Sequence, residues 1–311
     1  MIESDNNNKN ENLIEDEIDI KKFFDIAWNG RKIILSFTII SSLISIIYSL
    51  TLSNYYISES LLTIRDAQDS RPLSEYSGLA SMAGINLPSS GSSSVFHTIE
   101  MIQSREFVRH LITFENVLPS IMAPHSYDKK LTKLIFDIDI YDEDTQKWTR
   151  KPSQETGIKP SYLEAHKKLL KDMLSISHDE KTGLIFISVE HISPVFAKDF
   201  LSLVIKETNK INRKKDKDSS GKALNLLKKE LSSTSILEIK QSINKLIESQ
   251  LETQMMTSMH DEYLLITLDP PFVPETKSKP NRGIIVVLTT ILAAMLSTVF
   301  LVLWNLYKEI K

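Results

Sequence analysis

The chain has 311 residues and no cysteine, and its 37 Lys and Arg nearly balance its 40 Asp and Glu, for a formal net charge of −3. Without cysteine there are no disulfides, no thiolate nucleophile and no cysteine zinc site, but the compartment stays open because an extracytoplasmic domain can do without disulfides. The balanced charge provides no basic field for nucleic acid, which is therefore not an expected partner. Two long apolar runs leave room for one sizeable folded domain between them.

Two uncharged apolar runs predict two membrane helices. The first covers residues 33–52 and the second covers residues 283–306, and each is close to the roughly 20 residues that a helix needs to cross the hydrocarbon core. The acidic segment before the first run and the length of that run argue against a cleaved signal peptide. The sequence therefore predicts a two-pass integral membrane protein.

Positive charge before the first run predicts that the N-terminus is cytoplasmic. The basic residues on this flank are Lys21, Lys22, Arg31 and Lys32. Only Arg65 closely follows the run, so the positive-inside rule keeps the preceding flank in the cytoplasm, and two crossings return the C-terminus there. The basic residues at 277–282 argue weakly for the opposite orientation, but long translocated loops largely escape the rule.

Small residues recur at every fourth position in both apolar runs. They are Ser41, Ser45 and Ser49 in the first and Thr289, Ala293 and Ser297 in the second. Such a stripe permits close approach of two membrane helices. Ordinary scatter of small residues in a lipid-facing helix explains the pattern equally well.

Composition and periodicity divide the chain into eight segments. The start is too polar to fold, and an apolar stripe from Ile20 to Trp28 is typical of a helix lying in the membrane interface. The segments are a disordered cytoplasmic tail (1–18), an interfacial cytoplasmic helix (19–32), the first membrane helix (33–52), an α/β base (53–193), a long helical arm (194–260), a last strand with a proline-rich link (261–282), the second membrane helix (283–306) and a cytoplasmic tail (307–311).

The base alternates between strand and helix patterns, which predicts an α+β fold with a small mixed sheet. The predicted elements are a strand at 56–64, a helix at 99–114, a strand at 134–141, a helix at 161–174 and a strand at 184–189. Ser161 and Glu164 have the spacing of a capping box at the start of the second helix. Residues 66–94 are rich in Ser, Gly and Pro, which predicts a long loop.

Helical periodicity continues for about sixty residues after Pro194. Ser219-Ser220-Gly221 is a weak point that interrupts the predicted helix. A second start is predicted at Ser235, with Glu238 in capping-box register, so that two long helices form a hairpin. Their narrow apolar stripes are too long for a small sheet to cover, which predicts burial against neighbouring copies of the chain. The stripe on the first helix includes Leu224, Leu227 and Leu231.

No catalytic, cofactor-binding or metal-binding residue is predicted, and the chain is not expected to be an enzyme. Asp137 and Asp139 on one strand face, with the acids at 142–144, could suggest a divalent cation, but an exposed strand and turn explain them better. No glycine-rich phosphate loop followed by Lys and Ser or Thr occurs. The histidines lack the paired spacing of a zinc site and are predicted to be solvated or packed; they are His97, His110, His125, His166, His178, His191 and His260.

Three motifs carry a resemblance to a known family. The C-terminal motif comprises Asp261-Glu262-Tyr263, then Ile266 through Leu268-Asp269-Pro270-Pro271, Pro274-Glu275, Lys279-Pro280 and Arg282 before an apolar run. The middle one comprises Leu227-Lys228-Lys229-Glu230-Leu231, Thr234-Ser235 and Gln250-Leu251, and the first comprises Gly78-Leu79-Ala80-Ser81 and Ala83-Gly84-Ile85. With the two-span layout, they resemble the Wzz-type chain-length determinants, also called polysaccharide co-polymerases, from Asp19 onward.

The resemblance implies an inner-membrane protein of a Gram-negative envelope, with its α/β base near the bilayer and its arm reaching into the periplasm. It implies a homo-oligomeric ring that sets the length of a polysaccharide, such as O-antigen or lipopolysaccharide, without catalytic residues of its own. The implied partners are other copies of the chain, the lipid bilayer, a separate polymerase and the growing lipid-linked polysaccharide. Gly221 puts the straightness of the arm in question.

Two other functions stay open on the sequence. An adaptor for capsule or exopolysaccharide export, working with a separate tyrosine kinase and an outer-membrane channel, has the same two-span layout. A two-span sensor would need a cytoplasmic output domain, which neither end is expected to hold, and residues 307–311 leave no room for a fused kinase. Neighbouring genes discriminate best, because a flippase and polymerase favour the regulator and an export channel favours the adaptor.

Overall fold

The computed structural model describes residues 28–65, 92–153, 156–259 and 261–310. These residues form two compact units, one that runs up to Leu52 and resumes at Pro280, and one that spans Ser53–Lys279. The predicted tail at 1–18, most of the interfacial helix and most of the predicted loop at 66–94 lie outside the described residues.

The described residues contain eight α-helices and eight strands. In chain order they are α1 (Arg31–Thr51), β1 (Tyr56–Ile64), α2 (Ser92–Ile102), α3 (Arg105–Leu111), α4 (Val117–Met122), β2 (Pro124–Asp128), β3 (Lys133–Phe136), β4 (Tyr141–Asp142), β5 (Lys147–Trp148), α5 (Tyr162–Lys168), β6 (Leu174–His178), β7 (Leu184–His191), α6 (Pro194–Ser233), α7 (Leu237–Met259), β8 (Leu265–Asp269) and α8 (Arg282–Ile310).

The first unit is a pair of apolar helices, α1 and α8, that pack against each other. Both are long and apolar enough to cross a membrane, as the two runs predict, although α8 continues to Ile310 through the predicted cytoplasmic tail. Their apolar side chains point outward; Leu35, Ile44 and Phe300 are each more than 60% exposed. Such continuous apolar surface suits lipid rather than water.

A four-stranded antiparallel sheet in the order β6-β7-β1-β8 forms the centre of the second unit. The α+β class is confirmed, and β1 has the bounds that the sequence predicts. The expectation of a mixed sheet is wrong. After β7 the chain travels through α6 and α7 and returns as β8 on the opposite side of β1, so the parallel strands β7 and β8 are not neighbours.

The core lies between one face of this sheet and the helices. Residues alternate along β7, so Ile185, Ile187 and Val189 are fully buried while Phe186 is half exposed. Phe200 and Val204 of α6 belong to the same cluster. Each such side chain contributes about 2 kcal/mol when it is removed from water, so the sheet and the start of α6 form one stable block.

Two predicted elements of the base are each divided in the structure. The helix predicted at 99–114 is two helices, because Ser104 caps α3 by accepting the N–H of Phe107 at 3.2 Å. The strand predicted at 134–141 is β3 followed by a turn, in which Asp137 Oδ1 accepts the N–H of Asp139 at 3.0 Å. Short polar side chains that bond to nearby backbone end regular structure at both places.

The helix predicted at 161–174 is α5 followed by a π-helix, Leu169–Met173. Its capping box of Ser161 and Glu164 is confirmed. The next residue begins β6, which the sequence pattern does not predict, and the pattern also fails to predict the small hairpins β2-β3 and β4-β5. Strands this short give too few alternating positions to be recognised.

The arm is a hairpin of α6 and α7. Helix α6 runs without a break through Gly221, so the predicted interruption is wrong; packing against α7 outweighs the low helix propensity of one glycine. Helix α7 begins at Leu237, and the N–H of Lys240 donates to the carbonyl of Ile236 at 3.0 Å. The helix therefore begins shortly after Ser235, the residue at which the sequence predicts its start.

Candidate functional site

The proline-rich link that follows β8 is fastened along β1 by two buried serines. Ser58 Oγ donates to the carbonyl of Phe272 at 2.7 Å, and Ser60 Oγ donates to the carbonyl of Asp269 at 2.7 Å. Both serines are almost fully buried. Because an unsatisfied buried hydroxyl is costly, these bonds hold the first part of the link in one position.

The far end of the link is fastened to the residue before β1. The N–H of Tyr55 donates to the carbonyl of Lys279 at 2.9 Å, and the N–H of Ser278 donates to the carbonyl of Tyr55 at 2.8 Å. The ammonium of Lys279 also pairs with Glu190 of β7 at 2.8 Å. The segments that enter and leave this unit are thus paired side by side.

Asn209 on α6 joins the arm to β8. Its Nδ2 donates to the carbonyl of Leu265 at 2.9 Å, while its Oδ1 accepts the N–H groups of Leu264 at 2.8 Å and Leu265 at 2.7 Å. The side chain is buried. Its amide both donates to and accepts from the backbone here, as a peptide group of a neighbouring strand does. Removing it would leave three backbone groups, two of them on the buried Leu265, without this partner.

Two further side-chain contacts extend the junction between the arm and the start of β8. The hydroxyl of Tyr263 donates to Asp216 Oδ2 at 2.8 Å, and Arg213 Nη1 lies 3.1 Å from Asp261 Oδ1. Burial and the neighbouring Asp216 carboxylate raise the pKa of Tyr263, so this phenol stays protonated and can donate. Asp261 and Tyr263 belong to the C-terminal motif, which places that motif at the junction.

The two arm helices bury their apolar stripes against each other. Ala223 and Leu227 of α6 pack with Ile243 and Leu246 of α7. A Cβ built on Gly221 would lie 3.5 Å from Gln254 Nε2, so the helices approach closely there. The expectation that neighbouring copies cover this stripe is wrong for these residues, because α7 of the same chain covers them.

Each histidine that the structure describes in the base lies apart from the others, either packed in the protein or exposed to solvent. His191 is buried; its Nδ1 accepts the N–H of Ser193 at 3.1 Å, and its Nε2–H donates to the carbonyl of Ser120 at 2.9 Å. Burial lowers the pKa of His191 to about 4, so this ring is neutral at pH 7. His110 Nε2 lies 2.7 Å from the buried carboxylate of Glu207. His260 lies outside the described residues.

The acids considered for a cation organise turns instead. Asp142 Oδ1 accepts the N–H of Asp144 at 3.0 Å, and Asp142 Oδ2 accepts the Thr145 hydroxyl at 2.8 Å. That hydroxyl is the main cause that lowers the pKa of Asp142. Glu143 pairs with Lys133 at 3.1 Å. Within the part of the chain that is described, no group of three or more potential metal ligands comes together.

A bidentate ion pair holds the start of α5. Arg150 Nη1 lies 2.6 Å from Glu164 Oε2, and its Nη2 lies 3.1 Å from Glu164 Oε1. Both side chains are mostly buried. Hydrogen bonds from Arg150 lower the pKa of Glu164 to about 2. The pair fixes the segment around residue 150 against α5.

The small residues of the two membrane helices face each other. Ser45, Ser49, Ala293 and Ser297 are buried between α1 and α8, and the Thr289 hydroxyl donates to Ser45 Oγ at 2.6 Å. Of the two interpretations of the stripe, the structure therefore supports close approach of α1 and α8 through their small residues. Arg282 Nη2 also donates to the carbonyl of Leu52 at 3.2 Å, next to the end of α1.

Comparison with known proteins confirms the resemblance for the N-terminal part of the chain. Residues 16–113 match the family model of Wzz, the chain length determinant protein. The matched region includes the motif at 78–85, which lies outside the described residues, and it ends before the motifs at 227–251 and 261–282. No significant match occurs among curated proteins.

Two solved structures, among others, resemble the chain in fold to a limited degree. One is a full-length bacterial polysaccharide co-polymerase with 11% identity and a TM-score of 0.41, covering 92% of this chain and 97% of that chain. The other is a fragment of WzzB, a polysaccharide co-polymerase from Salmonella Typhimurium, with 14% identity and a TM-score of 0.28, covering 73% of this chain and 100% of that chain. Both TM-scores are too low to assign a function.

Proposed function

We propose that this chain is a non-catalytic inner-membrane regulator of polysaccharide length, acting on O-antigen, lipopolysaccharide or a related polymer that a separate polymerase builds. The observation that carries the proposal is the match of residues 16–113 to the chain length determinant model. A regulator of this kind acts by binding, because a partner that binds one state of the polymerase better than another shifts the balance between extension and release.

The contacts within the second unit support such a role. Asn209 joins the arm to β8, and Ser58 and Ser60 join the following link to β1. The arm, β8 and the start of the link are therefore held together by hydrogen bonds between residues far apart in the chain.

Deletion of the gene tests the proposed function. Electrophoresis of the extracted polysaccharide should show loss of the modal cluster of lengths and a broad spread of shorter chains, while repeat units are still assembled on the lipid carrier. Complementation with the intact chain should restore the cluster. If repeat-unit assembly stopped, the chain would have an enzymatic role; if polymer of normal length accumulated inside the envelope, the export adaptor would replace the regulator.

We propose that both termini are cytoplasmic and that residues 53–282 are periplasmic, because basic residues precede the first apolar run at 33–52. A reporter that is active only in the periplasm should be active when fused after Gly157 and inactive when fused after Lys311. The reversed pattern of activity would overturn this orientation. The two-pass layout would survive that result, because it depends on α1 and α8 alone.

We propose that the working form is a homo-oligomeric ring beside the polymerase. The arm stripe no longer supports this assembly, since Leu227 and Ile243 are buried within one chain, so the proposal rests on the family match. Mass measurement of the purified full chain in detergent, by light scattering with the detergent contribution subtracted, should give a multiple of the 35.5 kDa monomer. A monomeric mass at all concentrations would exclude the ring.

A further inference from the structure

The middle of α6 carries far more positive than negative charge. The helix contains ten Lys and Arg against five Asp and Glu, although the whole chain has a net charge of −3. Six of its cations fall within residues 206–217, which is three to four turns, and one of the acids in this stretch, Glu207, is buried. Five of the six, all except Lys215, are considered together; they are Lys206, Lys210, Arg213, Lys214 and Lys217.

These five cations share one side of the helix. At 3.6 residues per turn, their directions fall within about 100° of the helix circumference. The opposite side holds Val204 and Thr208, which are buried in the base. The four lysines of the group are exposed. We call the five residues the lysine face; it spans about 16 Å along α6.

Most of the charge on the lysine face is not neutralised. Lys210 lies 3.4 Å from Glu207, and Arg213 pairs with Asp261. Among the described residues, Lys206, Lys214 and Lys217 form no ion pair. Like charges this close repel one another, so the face is more stable when an anion lies along it.

We propose that the lysine face binds an extended acidic polysaccharide, one that carries a carboxylate or phosphate on its repeat unit. Its cations recur about once per helical turn of 5.4 Å, a spacing close to the length of one sugar residue in an extended chain. A linear polyanion can therefore place successive charges opposite successive cations. The choice of a polysaccharide over another linear polyanion rests on the proposed function.

Binding to the full chain in nanodiscs tests the proposal. Fluorescently labelled polygalacturonate oligomers should bind, neutral dextran oligomers of equal length should not, and added salt should weaken the binding. The variant K206Q/K214Q/K217Q should bind polygalacturonate about tenfold more weakly, as expected for three exposed charge contacts. Binding of dextran as well as polygalacturonate, or of neither, would overturn the proposal.

A matched variant on the same helix controls for net charge. Lys215, Lys222 and Lys229 are exposed, point away from the lysine face and are spaced seven residues apart. K215Q/K222Q/K229Q removes the same charge and should bind polygalacturonate within about twofold of the unchanged chain. Equal loss in both triple variants would overturn the assignment to this face. Circular dichroism of both variants establishes that the arm is still helical.

The two proposals fail in different experiments. If gene deletion leaves polysaccharide length unchanged while the lysine face still binds polygalacturonate, the proposed function is wrong and the binding face remains. If deletion alters length but polygalacturonate does not bind, the regulator remains and the lysine face is wrong.

Discussion

The base and the arm are stabilised to very different degrees. The base buries a large apolar cluster that includes Leu62, Val108, Ile187 and Phe200. The apolar cluster of the arm hairpin is much smaller and consists of Ala223, Leu227, Ile243 and Leu246. Buried polar residues such as Ser249 and Gln250 occupy other positions on α7. Since local stability follows buried apolar contact, the hairpin should open without unfolding the base.

The largest expected effect is in the base. Phe200→Ala removes a large side chain that is 2% exposed and should lower the free energy of unfolding by about 4 kcal/mol. Phe186→Ala is the matched control, because Phe186 is half exposed on the outer face of the sheet, and it should cost about 1 kcal/mol or less. Denaturant unfolding of the full chain in detergent measures both. Equal losses would contradict the placement of the core.

Acidification should weaken the base, first through His191. Burial lowers the pKa of His191 from 6.5 to about 4. Between pH 6.5 and 4 the unfolded chain therefore binds a proton on His191 that the folded chain does not. The contribution of the neutral ring to the free energy of unfolding is complete above pH 6.5, and about 3 kcal/mol is lost as the pH falls through 4. Glu164 responds only at lower pH, because its stabilising effect is lost as the pH falls from 4.5 through about 2.

The pH dependence is measured as the free energy of unfolding between pH 7 and 5, where His191 acts before Glu164. His191→Gln keeps a donor for the Ser120 carbonyl and should flatten the dependence in this range. If the unchanged chain already shows none, His191 is not buried as a neutral ring.

Leu227→Ala should weaken the arm alone. Leu227 is 3% exposed, and the substitution should reduce protection of the hairpin by about 2 kcal/mol. Hydrogen exchange followed by mass spectrometry should show faster exchange within 222–259 and unchanged exchange in β1 and β7. The neighbouring Leu226→Ala is the control, since Leu226 is 39% exposed. Faster exchange throughout both regions would mean that the arm and base unfold together.

The smallest expected effect is a stabilisation of the arm. Gly221→Ala should protect the hairpin by up to about 1 kcal/mol, because alanine favours the helix and restricts the unfolded chain. The added Cβ would meet Gln254 Nε2 at 3.5 Å, an ordinary contact distance. Ala223→Gly should have the opposite sign. Faster exchange in Gly221→Ala would show that the helices are closer than described.

The sequence predicted elements whose pattern is local. Strand β1, both membrane helices and the long α6 follow from apolar runs and periodicity, and the capping box at Ser161 follows from spacing alone. Periodicity also indicated that Leu224 and Leu227 are buried, but it does not say by what. For Leu227 the covering surface is α7 of the same chain, which only the hairpin geometry shows.

The contacts around the link could not be predicted, because they join residues far apart in the chain. Ser58 and Phe272 are separated by 214 positions, and Asn209 reads as an ordinary polar residue on a helix. One signal was available: Ser58 and Ser60 occupy alternate positions on the same side of β1 as the buried Leu62. Serines at inward positions of a strand need hydrogen-bond partners.

The most direct test is whether the arm closes on itself within one chain. The chain has no cysteine, so Gly221→Cys and Gln254→Cys place the only two thiols on facing positions of α6 and α7. A short thiol-to-thiol crosslinker should consume both thiols and leave the protein at monomer mass in denaturing electrophoresis, independent of protein concentration. Each single-cysteine variant provides the control for random crosslinking. Dimers formed by the double variant, but not by the single variants, would show that α7 of another chain packs on α6.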